Sequence, residues 1–132
     1  MKLVAVTLLL TLFTLLSPVV DAQGRRSMVN VLVHTEKTVP RAGFRIKFVE
    51  MVEDSRCPEG TNCVWAGNAK VRITVRQGRR SRTFELNSNT PPTVVRFAGY
   101  DIRLVSLTPK PAENIRIDPR KYVAGFSVTR SR

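Results

Sequence analysis

Several residue types are scarce in this chain of 132 residues, and each scarcity excludes a kind of chemistry. There is one histidine, His34, and there are two cysteines, Cys57 and Cys63. One imidazole cannot make a transition-metal site once both thiols are joined to each other, so no metal and no cofactor are expected. His34 has no serine or cysteine neighbour that suggests a catalytic triad, and a histidine on a strand face is ordinarily structural or solvated. Carboxylates number 10 against 22 basic residues. Glu53 and Asp54 are adjacent, so on a strand they face apart and do not pair as acid and base. Calcium held by Glu53, Asp54 and Glu59 is the remaining conceivable ion site, since hard cations take such oxygens. The chain is therefore read as non-catalytic.

Also missing is helical periodicity. From Met28 onward apolar residues recur with period two, and nowhere is the spacing of three and four sustained. Strands are expected over 29–34, 44–52, 70–76, 82–86, 93–97, 100–107 and 122–129. About seven strands suggest an all-β, antiparallel β-sandwich of immunoglobulin-like architecture. Turn residues mark the divisions at 39–43, 76–79, 87–92 and 108–114, where proline cannot donate to a ladder. The long link 109–121 begins Pro-Ala-Glu-Asn after its first prolines, which can seed one helical turn. Alternation also assigns faces: Phe44, Ile46 and Phe48 oppose Arg45 and Lys47, and Val71, Ile73 and Val75 oppose Arg72, Thr74 and Arg76. Ile102, Leu104, Tyr122, Ala124, Phe126 and Val128 extend the inward set. Each such side chain contributes on the order of 1.5 to 3 kcal/mol when buried, enough in sum to oppose chain entropy without a cofactor.

The first 22 residues read as a signal peptide: Lys2, an uncharged run over 3–20, then Val20-Asp21-Ala22, a pattern that export peptidases cut after. Eighteen uncharged residues also reach the lower limit of a membrane anchor, and Arg25 and Arg26 just beyond them favour retention by the positive-inside tendency. Ser17-Pro18 and three threonines weaken that alternative. Residues 23–132 then form one domain in an exported protein, periplasmic or extracellular. In an oxidising compartment two cysteines are expected to pair as Cys57–Cys63.

That bridge closes a ring of seven residues, for which loop entropy gives roughly 2 to 2.5 kcal/mol. Pro58 fixes one φ, while Gly60 and Asn62 tolerate positive φ, so the ring can turn sharply. Trp65 follows, on the side of Cys63 if the backbone is extended. The favoured reading packs Trp65 against the disulfide as a core device; the other exposes it as an anchor for a glycan or protein. Asp54 is assigned a structural role, bonding the backbone of its own turn or pairing with Arg56. The string Asp54-Ser55-Arg56-Cys57-Pro58, Gly60, Cys63, Trp65-Ala66-Gly67 and Ala69 resembles a motif, DSRCPxGxxCxWAGxA, of small exported bacterial proteins of unassigned function. The rest of the chain is similar to them in layout only. The resemblance implies a secreted β domain and supplies no activity.

Net charge is +12, and sixteen of the 22 basic residues are arginine. Arginine makes planar bidentate contacts with phosphate, sulfate and carboxylate that lysine cannot make. The alternative is a solvated basic surface that keeps the protein dispersed. Arg72, Arg76, Arg79, Arg80 and Arg82 gather on one hairpin, where neighbours two apart lie about 6 to 7 Å from each other, inside the ~8 Å Debye length of physiological salt. Such repulsion is understandable if an anionic partner offsets it, although Glu85 or acidic cross-strand neighbours would do so as well. The expected function is a non-catalytic exported module that contacts an anionic polymer or membrane surface through this hairpin. No aromatics interleave with the arginines, which argues against nucleic acid. A disulfide-loop protease inhibitor, or another module that binds a protein partner through its loop, is the alternative.

Overall fold

Alternating apolar and polar residues can bury only one face of each strand, so the strands must pair into sheets and the sheets must close on each other. The computed structural model describes residues 25–132, and the expected signal peptide at 1–22 lies outside them. The strands are β1 (Ser27–Leu32), β2 (Glu36–Thr38), β3 (Arg45–Asp54), β4 (Ala69–Gln77), β5 (Arg80–Asn87), β6 (Val94–Phe97), β7 (Tyr100–Thr108) and β8 (Val123–Arg130). They form two four-stranded antiparallel sheets, β1-β8-β7-β6 and β2-β3-β4-β5, packed as an all-β sandwich.

The core lies between them. Phe44, Ile46 and Phe48 from β3 and its entry, Val71, Ile73 and Val75 from β4, Leu86 from β5, Ile102 from β7 and Phe126 from β8 are fully buried. The Phe97 ring meets Phe44 edge-on at 5.7 Å and Phe84 at 6.5 Å, which ties the two sheets together at one end.

Three local features depart from the alternation pattern. Glu36–Thr38 is an eighth, short strand on the edge beside β3, with too few residues to show a period. The first strand ends at Leu32 instead of His34, because His34 turns into the left-handed region (φ 64) and its N–H donates to the Phe48 carbonyl at 2.7 Å. The helical turn in the long link forms over Pro119–Lys121, where the Asp118 side chain accepts from the Arg120 N–H; the Ala112–Ile115 segment makes a tight turn instead.

Two register shifts in β3 matter for charge placement. Strict alternation from Phe48 would send Glu50 into the core, but the extra residue at Val49 returns Glu50 to the outer face, opposite Arg72. The strand β4, nine residues long and so spanning roughly 30 Å, carries the cysteine loop at its start and the arginine turn at its end. These two features stand at opposite ends of the sandwich.

Candidate functional site

The base of the cysteine loop is held by a part-buried charge cluster. The Asp54 carboxylate receives both arms of Arg56, Nε on Oδ1 and Nη2 on Oδ2, each at 2.7 Å, and the Tyr122 hydroxyl donates to Oδ2 at 2.8 Å. Two further N–H groups of Arg56 donate to the carbonyls of Leu107 (2.6 Å) and Pro109 (2.9 Å), so one guanidinium joins the loop to β7 of the other sheet. Burial pushes the Asp54 carboxyl up, but the hydrogen bonds from Arg56 and Tyr122 and the Arg56 charge outweigh it and hold the group below its ordinary value. Burial and the neighbouring Asp54 charge push the Tyr122 phenol up to about 12.

On the other flank, Ser55 pairs with Asn68 through backbone and side chain, and the Asn68 side chain donates to Asn87 at 2.9 Å in a buried link. Asn89 donates to the Gly67 carbonyl at 2.6 Å. Gly67 has φ +70, and a Cβ there would lie 1.9 Å from the Ser55 carbonyl oxygen, so only glycine fits. The Cys57–Cys63 disulfide is formed, with Cα atoms 5.9 Å apart. Its ring is tied down by the Glu59 N–H on the Pro111 carbonyl (2.9 Å) and the Glu59 ion pair with Lys110 (3.3 Å). A cleft of about 580 Å³ opens between this base and β7, bordered by Arg56, Cys57, Ala66, Ser88, Val105 and Lys110. The three carboxylates considered for calcium do not converge: Asp54 faces Arg56 and Tyr122, Glu53 takes the Ser55 hydroxyl, and Glu59 faces Lys110.

At the tip of this braced loop the expected packing of Trp65 is overturned. Trp65 is 82% exposed and Val64 is 89% exposed. The disulfide closes a small ring near the surface, and Gly67 turns the chain back into β4 only after Trp65, so the indole is left outside the sandwich. The core position beside the loop is taken by Ala69, which is fully buried.

At the other end of β4 the arginines separate into groups. Arg72 is committed: it bonds the Glu50 carboxylate on β3 and Glu85 on β5 (2.8 Å), and that hydrogen bond holds the Glu85 carboxyl below its ordinary value. Arg76, on the same outer face, stands directly opposite Arg45 on β3 and Ser81 on β5. Arg45 makes one loose ion pair with Glu36 at 3.7 Å. A shallow cleft of about 380 Å³ lies there, lined by Thr38, Gly43, Phe44, Arg45, Arg76 and Gly78. Arg79 is in the turn that Gly78 makes at φ 55. Arg80 and Arg82 are opposite Gln77 and Val75, so they project from the face that carries the core residues. There the Arg80 guanidinium lies 5.7 Å from the Phe97 ring centre and that of Arg82 lies 5.5 Å from Phe84. Among the described residues Arg76, Arg79, Arg80 and Arg82 make no ion pair, and neither do Arg41, Arg103, Arg116 and Arg130 elsewhere, whereas Arg45, Arg56, Arg72, Arg96 and Arg120 each do.

Arg45, which faces Arg76 across the ladder, belongs to the cluster at the hairpin end, and sequence reasoning missed it. Its membership depends on strand register, for which the only signal was its place on the polar face of 44–52. Compared with protein-family models, curated proteins and solved structures, the chain matches none.

Proposed function

We propose that this chain is a non-catalytic exported module that binds an anionic partner through the end of the β4–β5 hairpin. The observation that carries this reading is the contrast within one strand. Arg72 is flanked across the ladder by Glu50 and Glu85, while Arg76, four residues later, is flanked by Arg45 and Ser81. Like charges directly opposite on a ladder destabilise a sheet. The charge of Arg72 is balanced at its own rung, whereas four residues on Arg45 and Arg76 face each other beside a cleft that both residues border. Planar, weakly hydrated guanidinium groups are suited to phosphate and sulfate, and of these two Arg45 has one loose ion pair, to Glu36 at 3.7 Å, while Arg76 has none among the described residues. Export is supported by the formed disulfide, which belongs to an oxidising compartment.

Replacing Arg76, Arg79, Arg80 and Arg82 with serine is expected to abolish retention on heparin or phosphate matrices at low salt. Elution unchanged from that of the unaltered protein refutes the assignment.

A second reading is favoured by the exposed indole. Val64 and Trp65 project from a loop whose base is fixed by a disulfide, an ion pair and buried asparagines, so little conformational entropy remains to be lost on docking. That suits a protein-binding loop. A protease-inhibitor role is less well supported, because the ring is tied to the 109–118 link at Glu59 and the exposed apolar residues follow it. Trp65→Ala abolishing capture of a protein partner while leaving heparin retention intact is the result this second reading requires.

A further inference from the structure

Resting on the anionic-partner reading, we infer that the ligand is a flexible linear polyanion, sulfated or phosphorylated, that crosses the hairpin end from one face to the other, and not a flat membrane surface. The cationic groups at the hairpin end do not share a plane. Arg76, with Arg45 opposite it, is on the outer face of β2-β3-β4-β5. Arg80 and Arg82 leave the ribbon in the opposite direction, since they share the side of Gln77 and of the buried Val75. Arg79, in the turn, lies between the two sets.

Side chains on opposite faces of a ribbon are carried about 10 Å apart, the scale of sheet-to-sheet spacing. A planar layer of headgroups laid on the outer face meets Arg45 and Arg76 and is screened by the strands from Arg80 and Arg82. A chain with an anionic group at each repeat and a backbone that bends can occupy both sets at once. The inner-face pair is also preorganised: each guanidinium is held against an aromatic ring, Arg80 on Phe97 and Arg82 on Phe84, and neither spends its N–H donors on a carboxylate of the described residues. Both residues of the outer-face pair border the shallow cleft of about 380 Å³.

Counterion release makes this measurable, because each oxyanion contact adds a little under one to the slope of log affinity against log salt. Two double variants, R45S/R76S and R80S/R82S, are compared with the full chain on heparin, on inorganic polyphosphate and on vesicles rich in an anionic phospholipid. Circular dichroism checks that both variants fold. On the linear polymers each double variant is expected to reduce the slope by about 1.5 to 2, and the two reductions should add. Response of heparin alone identifies sulfate as the ligand group, and response of polyphosphate alone identifies phosphate; either supports the inference. If only one pair affects the linear polymers, or if vesicles respond to both pairs as the polymers do, the crossing geometry is refuted while the anionic reading stands. If the unaltered protein is retained by none of the three, the anionic reading itself fails.

Discussion

Replacing Arg56 with alanine removes four hydrogen bonds at once: two to Asp54 at 2.7 Å, one to the Leu107 carbonyl at 2.6 Å and one to the Pro109 carbonyl at 2.9 Å. The paired side chains are only 15% and 13% exposed, so water does not fully replace what is lost. Breaking a buried ion pair by deleting one partner costs about 3 to 5 kcal/mol, and partial exposure puts this pair at the lower end, about 3 kcal/mol. At about 4 °C per kcal/mol for a domain of this size, the melting temperature should fall by about 12 °C. Arg56→Lys should recover less than half, because an ammonium cannot hold both carboxylate oxygens and reach two carbonyls. Acid supplies the sign check. The Asp54 carboxyl is held below its ordinary value of 3.8, so the stability it contributes is present above that pH and is lost as pH falls through the folded value. The difference between the unaltered protein and Asp54→Asn should therefore shrink below about pH 4. Thermal melts across pH for the three variants decide the matter. A loss under about 0.5 kcal/mol for Arg56→Ala at neutral pH, the range of an ordinary surface change, would show that the cluster does not brace the loop.

Gly67→Ala places a methyl 1.9 Å from the Ser55 carbonyl at a positive φ, and a loss of at least about 2 kcal/mol is expected in chemical denaturation; a neutral result contradicts the loop geometry. Trp65 should emit with the red-shifted spectrum of a water-exposed indole and be quenched readily by iodide, and Trp65→Ala should alter stability by less than about 0.5 kcal/mol; blue-shifted, protected emission contradicts the exposed placement. In a Tyr100→Phe background, near-ultraviolet absorbance should show the Tyr122 phenol ionising at about pH 12. Because its folded value lies above the ordinary 10.0, the stability it contributes is complete below pH 10 and is lost as pH rises toward 12; a titration at the ordinary value refutes its burial beside Asp54.

Strand-forming stretches and their inward faces were legible in the chain because period-two alternation is local: Val71, Ile73 and Val75 can be assigned to the core without knowing what covers them. The disulfide was legible too, since five residues separate its cysteines and short ring closure needs no distant partner. Glu36–Thr38 was not, because three residues show no period and that strand exists only where β3 offers an edge. The Asp54–Arg56 pair follows from neighbours in sequence, but Tyr122, Leu107 and Pro109, which complete the cluster, come from the other sheet.

Composition alone determined that this is a strongly basic, arginine-rich chain with one histidine and two cysteines. It also placed five arginines on one hairpin. Tertiary structure decided what each does. The register set Glu50 beside Arg72 and Arg45 beside Arg76, and strand alternation sent Arg80 and Arg82 to the face that meets Phe97 and Phe84. The same closure left Trp65 outside, since Ala69 and Gly67 already occupy the turn into β4. Charge is a property of the residue, but whether a charge is balanced depends on cross-strand neighbours fixed only when the sheets form.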